Sequence, residues 1–292
     1  MSLDTFAGVL ISGLSGAAIL FLVGAGLTLV FGALRLINMA HGSLYMVGAF
    51  VAVSLMAALT GMVGFGLAIA ISSAAVGVLA GLIEIAILRR LYARDHLMQL
   101  VATFALIFII DGLVQAIFGT NFRQVTAPQL LTGSVAIGTT TVLVYQLFLI
   151  LVAVLVAAGL WAVLRQTGLG RDIRAAVVDP ELLRLAGVNV PLLFTTVFCI
   201  GGLLAGLGGA LIAPYHAVSL GIDVDIVVEA FAVTIIGGLG SLYGALIGAA
   251  LVGLVESFGI YYAPKFSLAL IFIVMAVVLV VRPWGLFGQP ER

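Results

Sequence analysis

Polar side chains interrupt the long oily stretches of this sequence at only a few points. Asn38, His41, Gly42 and Ser43 fall within Ile37–Leu44, a weakly polar run rich in small residues. Asp111 stands well inside the apolar stretch 97–119, Glu229 on the short stretch 226–236, and Glu256 near the end of 243–258. If these stretches cross a membrane, ionisable groups in them are costly and should face a bundle interior or a water-filled cavity. Unwound backbone at that depth must also line protein or water, because lipid satisfies no amide. Broken helices of this kind build solute paths. Asn38, His41, Gly42, Ser43, Asp111 and Glu229 are therefore candidates for such a path. Each has a plainer reading: an interfacial turn for 37–44, an interhelical hydrogen bond for Asp111, and a structural role near one surface for Glu229. Glu256 reads as a solvated residue near a membrane exit.

A second set of signals lies between Arg165 and Pro191. Gly168 and Gly170 should end the preceding helix, and Asp172 is placed to cap a short helix reaching Val177. Asp179 should cap another, with Pro180 at its first position, Glu181 in its first turn and Gly187 to stop it. The segment thus predicts two short helices with a sharp bend. Leu182, Leu183, Leu185 and Ala186 beside Glu181 and Arg184 make an amphipathic knob. Such a knob docks into a partner's groove or lies on its own membrane domain.

Other chemistries lack their residues. No Gly precedes a Lys, so the phosphate-cradling G-x-x-x-x-G-K-[ST] loop is absent. His41, His96 and His216 are far apart, and neither H-E-x-x-H nor G-x-S-x-G occurs. Neither a metal site nor an intramembrane enzyme is expected. Cys199 is the single cysteine, so no internal disulfide forms. A net charge of zero offers no basic patch for nucleic acid.

The elements that must position these residues follow from composition. Of 292 residues, 64% are hydrophobic and 8% charged, against roughly 45–50% and about 25% in soluble domains. Too little charge exists to cover a water-facing surface, and lipid is the alternative. The expected fold is all-α, a polytopic membrane protein with eight or nine crossings including a broken or re-entrant segment, treated as one transmembrane domain over 1–292. Candidate spans are 7–34, 42–59, 65–88, 97–119, 142–164, 192–213, 226–236, 243–258 and 267–281. The seventh is short and runs into Gly237-Gly238-Leu239-Gly240-Ser241, which should break a helix. Gly202, Gly206 and Gly209, and again Gly244, Gly248 and Gly253, form small-residue stripes suited to close helix packing. Arg35, Arg89, Arg90, Arg94, Arg165, Arg171, Arg174, Arg184, Arg282 and Arg292 all fall in alternate connections, which leaves Arg123 and Lys265 opposite. Lys and Arg mark the cytoplasmic side. That bias places the N-terminus outside and the C-terminus inside with nine crossings; eight plus a re-entrant half-helix would put both on one side.

Four motifs in this order carry a resemblance. Gly26-Leu-Thr-Leu-Val-Phe-Gly32, Ile37-Asn-Met-Ala-His-Gly42 and Gly48-Ala-Phe50 come first. Gly170-Arg171, Arg174-Ala175, Asp179 and Leu185-Ala186-Gly187 follow. Gly237-Gly-Leu-Gly-Ser-Leu-Tyr-Gly-Ala-Leu-Ile-Gly248 and Arg282-Pro-Trp-Gly-Leu-Phe-Gly288 complete the set. From about Gly13 to Gly288 the chain resembles the inner-membrane permeases of branched-chain amino-acid ABC transporters. That resemblance implies a bacterial inner-membrane subunit working with a second, related permease, two ATP-binding cassette subunits and a periplasmic or lipid-anchored solute-binding protein. It implies no cofactor in this chain, ATP-Mg being held by the ATPase subunits. It also implies that Arg171, Arg174, Asp179, Pro180, Glu181, Leu182, Leu183, Ala186 and Gly187 meet the ATPase. The sequence departs from the wider importer pattern of Glu-Ala-Ala followed by Gly, having Arg174-Ala175-Ala176 with Pro180 intervening. The family's solutes include branched-chain amino acids, urea, short amides and small carboxylates. An ion-coupled secondary transporter using Asp111 or Glu229 is the alternative.

Overall fold

The computed structural model describes residues 2–92, 94–138 and 140–288. Arg292, one of the basic residues used for orientation, lies outside them. Among the described residues, eleven α-helices and one small hairpin follow one another. They are α1 (Leu3–Leu34), α2 (His41–Ala58), α3 (Gly61–Ala86), α4 (His96–Phe118), β1 (Ser134–Ile137), β2 (Thr140–Leu143), α5 (Val144–Gln166), α6 (Gly168–Val178), α7 (Pro180–Leu185), α8 (Val190–Ile212), α9 (Ile222–Gly237), α10 (Leu242–Tyr262) and α11 (Ser267–Val281). Among the described residues, eight stretches are long and apolar enough to cross a membrane. At 16 residues α9 is short of the roughly 20 that a crossing needs. The all-α expectation holds apart from the antiparallel β1–β2 hairpin, where Ser134 pairs with Leu143. Its β-branched run, Thr140-Thr141-Val142, favours a strand.

The core is α1, sheathed by α8, α9 and α10, with α2 and α3 stacked on α8. Residues Ala17 to Thr28 of α1 are buried, whereas α5 and α11 are largely exposed apolar cylinders. Close backbone approach replaces hydrophobic drive inside lipid. The anticipated stripes do this work. A Cβ on Gly209 would strike the Tyr45 carbonyl, one on Gly244 the Gly237 carbonyl, and one on Gly253 the backbone of Gly13 and Ala17.

Two ends of the bundle can be told apart by charge. Leu34, the Arg89 turn and the α6–α7 segment share one Arg-rich end. At the other end Arg123, just past α4, forms a two-residue bridge with Val218, in the loop between α8 and α9. Val218 leads into α9, which returns to the Arg-rich end, where Gly240 meets Gly32. Counting α9, the described chain passes between the two ends nine times, so Leu3 and Val281 lie at opposite ends.

The break after α9 is reinforced from afar. Gly238 (φ 101°) and Gly240 (φ 84°) take left-handed conformations open mainly to glycine. The last carbonyls of α9 are then capped by the tail: Leu286 N–H donates to Ile236 O (2.8 Å) and Phe287 N–H to Gly237 O (3.0 Å). The two late sequence motifs are thus one structural unit. α9 also starts four residues earlier than the apolar run suggests. Gly221 (φ 95°) turns the chain, and Asp223 and Asp225 then sit in the first helical turn, where acids offset the helix dipole.

Candidate functional site

Helix α1 ends at Leu34, and Arg35 takes a left-handed conformation (φ 51°) that turns the chain back into the bundle. Residues 35–38 form no regular structure, yet Leu36, Asn38 and Ala40 are buried. The backbone here is satisfied piecemeal. The Thr103 hydroxyl of α4 lies 3.4 Å from the Ile37 carbonyl and 3.1 Å from that of Leu100, which compete for its one proton, and the Asn38 carbonyl accepts from the His41 N–H (3.3 Å). His41 opens α2, and its Nε2 lies 3.1 Å from the Val23 carbonyl. Val23 is eleven residues before Leu34, roughly 16 Å along α1 at ~1.5 Å per residue. The first turn of α2 therefore lies about halfway through the bundle, and the unwound segment expected over 37–44 is present as 35–40.

The first turn of α9 meets it there. Ser43 Oγ donates to Asp223 Oδ2 (2.9 Å), and both side chains are buried. Gly42 lies against the Asp223 carbonyl and Val227, with no room for a Cβ. Asp111, from α4, is an electrostatic neighbour of the same carboxylate. Asn38 Oδ1, His41 Nδ1, Asp111 Oδ1 and Asp223 Oδ1 are buried with no hydrogen-bond partner among the described residues. Buried polar atoms are normally hydrogen-bonded, so this concentration sets the junction apart from the apolar packing around it.

The structure thus brings His41, Gly42, Ser43 and Asp111 together and leaves Asn38 one turn away on the approach. Glu229 does not join them. It is half-buried on another face of α9, where its electrostatic neighbours are Glu256 of α10 and Asp225. Asp223, the residue that ties the junction together, is not among the sequence candidates. Its only local signal is a charge four residues before Val227 at the head of a short apolar run.

The second site is the elbow at the Arg-rich end. α6 begins earlier than expected. Thr167 Oγ1 caps it by accepting from the Gly170 N–H (3.3 Å), so Gly168 and Gly170 lie in its first turn and Asp172 is not the cap. The second cap is as anticipated: Asp179 Oδ1 accepts from the N–H groups of Glu181 (2.9 Å) and Leu182 (3.0 Å), with Pro180 first in α7. Gly187 (φ 88°) closes the turn, its N–H bonded to Arg184 O (3.0 Å). Leu183 points inward with Ile173 and Ala176, joining Ala33 of α1 and Val190, Leu193 and Val197 of α8 in one apolar cluster. Leu182, Leu185 and Ala186 point outward beside exposed Arg171, Arg174 and Arg184. Arg174 also donates to the Leu164 carbonyl, fixing α6 to the end of α5. The knob is therefore split: one leucine roots it in the bundle and two are offered outward.

Residues 9–279 match the family described as the permease component of branched-chain amino acid transport systems. The chain is 29% identical over 295 aligned positions to the high-affinity branched-chain amino acid transport system permease protein BraD of Pseudomonas aeruginosa, covering 97% of this chain and 95% of that one. It is 27% identical over 288 positions to LivH of Escherichia coli, a permease protein of the same kind of system, covering 92% and 91%. A shorter likeness, 33% over 145 positions, links 46% of this chain to 40% of the fructose import permease protein FrcC of Rhizobium meliloti.

Proposed function

Because the chain belongs to the permease-component family of branched-chain amino acid transport systems, a multi-pass membrane protein, we propose that it is the transmembrane subunit of an ATP-driven importer. Its solute is a branched-chain amino acid or a related small polar molecule such as urea, an amide or a small carboxylate. A second permease completes the path, two ATP-binding cassette subunits hold ATP-Mg, and a periplasmic or lipid-anchored binding protein delivers the solute. The protein sits in the bacterial inner membrane with its Arg-rich end and C-terminus in the cytoplasm, a placement that the charge bias supports.

The observation that carries this reading is the elbow. A rigidly capped six-residue helix presents Leu182 and Leu185 outward, and Leu183 roots it in the α1–α8 cluster. A partner that grips this helix pulls on two membrane helices at once. Arg171, Arg174, Asp179, Pro180, Glu181, Ala186 and Gly187 frame the grip. The polar junction is the element that responds: Asn38, His41, Gly42, Ser43, Asp111 and Asp223 exchange partners as the path opens, and Glu229 faces the path from another side of α9. The acid pair would equally serve an ion-coupled carrier. The two readings separate in proteoliposomes holding the full complex, with L-leucine, L-isoleucine, L-valine, urea and acetamide as probes. Uptake that stops when the ATPase subunits are inactivated supports the importer. Uptake by this chain alone, driven by a proton or sodium gradient, refutes it.

A further inference from the structure

We propose that α3 and α8 move as a single lever, clasped by the buried carboxylate of Glu84, and that this lever carries the motion of α7 to the polar junction. The inference rests on the reading of α7 as the element that an ATPase grips.

Glu84 lies in the last turns of α3 and is fully buried. Arg89 reaches back to it with Nε (3.2 Å) and Nη2 (3.0 Å), Tyr92 donates its hydroxyl (2.8 Å), and Thr195 donates Oγ1–H (2.7 Å). Arg89 Nη2 donates to Thr195 Oγ1 as well (2.5 Å). The Pro191 carbonyl, 2.9 Å from that oxygen, competes for the single hydroxyl proton; the charged carboxylate is the stronger acceptor. The hydrogen bond to Glu84 raises the Arg89 pKa above its ordinary value, and burial, helped by Glu84, raises that of Tyr92. Both therefore stay donors. Arg89 and Tyr92 belong to the continuation of α3. Thr195 alone comes from α8, five residues after its start. Parting the two helices would withdraw a donor from a buried charge, which is strongly unfavourable.

Above the clasp the two helices touch backbone to backbone. A Cβ on Gly77 would meet the Cys199 carbonyl and Leu203, one on Gly202 would meet Ala80, and one on Gly206 would meet Val76 and Ser73. Sliding one helix along the other would drive side chains into main chain. Below the clasp, Tyr92 stacks edge-on against Phe194 of α8 (5.7 Å), and both border the crevice under Pro180, Glu181 and Arg184. At its far end the lever holds α2. Ser72 Oγ donates to the Gly48 carbonyl (2.6 Å), and Gly48 abuts Gly206. The contacts run without a gap from α7 to the helix whose first turn holds His41, Gly42 and Ser43.

The single native cysteine supplies the test. A Cβ on Gly81 falls 2.5 Å from Cys199 Sγ, so in Gly81→Cys an oxidant can join α3 to α8 after a small rotation of the cysteines. In the reconstituted full complex with L-leucine as probe, the closed bridge leaves uptake and ATP hydrolysis within about twofold of the reduced protein. In Thr195→Val, which uncouples α8 from the clasp but leaves Glu84–Arg89–Tyr92 intact, leucine carried per ATP falls about three- to tenfold. Closing the Gly81→Cys bridge in that background restores the ratio. Loss of uptake on oxidation of Gly81→Cys alone, regained with reductant, would mean that the helices must separate, and overturns the lever. So would a Thr195→Val protein whose ratio the bridge does not restore. Failure of the importer reading looks different: the unaltered complex would carry leucine without ATP hydrolysis, or Leu182→Asp would leave ATPase binding unchanged.

Discussion

The elbow and the polar junction are built on opposite principles. The elbow, residues 167–187, is specified locally: Thr167 and Asp179 cap, Pro180 starts and Gly187 stops within one short stretch. The junction is specified at a distance, with Ser43 and Asp223 meeting across 180 residues of sequence and Asp111 arriving from a third helix. The elbow exposes apolar side chains where a soluble surface would not, whereas the junction buries polar atoms where a membrane interior would not. Each region departs from the rule of its surroundings, and under the proposed function each departure has a reason: a partner that covers the elbow, and a change of hydrogen-bond partners at the junction. The difference teaches that locally encoded and distantly encoded elements can stand at different depths of one helical bundle.

The largest effect should come from the elbow. Changing Leu182 and Leu185 together to Asp puts two charges on the offered face and should abolish both co-purification with the ATPase subunits and ATP-driven uptake. Because both side chains are exposed, the melting temperature of the permease should hardly change. If ATPase binding survives, the elbow is not the docking element and the contrast breaks.

Next come changes at the junction. Gly42→Val drives a branched side chain into the Asp223 carbonyl and Val227. It should cut solute uptake at least about tenfold while ATPase co-purification persists, since the cost is steric and local. Asp223→Asn replaces the carboxyl group that accepts from Ser43 Oγ. A hydrogen bond to a charged group is worth about 1.5–3 kcal/mol, so uptake should fall by one to two powers of ten. Ser43→Ala should add little to Asp223→Asn in a double-mutant cycle. Full additivity would show that the two do not act together, and the junction would dissolve into separate structural contacts.

The smallest effect should come from Asp179→Ala. It removes an N-cap worth about 1 kcal/mol, frays α7 and should lower uptake a few-fold without preventing assembly. Restoration by Asp179→Ser, another good cap, would sharpen the claim that helix order rather than charge matters there.

These two regions also differ in how far the residues announced them. Caps and turns are local, so the bend at Asp179–Pro180 and the stop at Gly187 were readable, as were the oily spans and the glycine break after α9. The unwound stretch before α2 was readable too, because small polar residues stand between two apolar runs. What stayed hidden is pairing across the chain. Asp223 looks like loop chemistry until Ser43 and Gly42 are beside it. Glu84 passes unnoticed within an apolar run, since its donors Arg89, Tyr92 and Thr195 are spread over two helices. The start of α6 is hidden because Gly168 and Gly170 look like breakers, whereas Thr167 caps them and Gly170 packs against the backbone at Leu164. The hairpin 134–143 leaves little signal in the sequence because its strands are only four residues each.

Coupling to an ATPase requires the elbow to face the cytoplasm. In a Cys199→Ser background, Leu182→Cys places one thiol on the outward face of α7, where a membrane-impermeant maleimide can find it. Labelling only in inside-out vesicles, suppressed when the ATPase subunits are bound, is the predicted result. Labelling of intact spheroplasts from outside would contradict it.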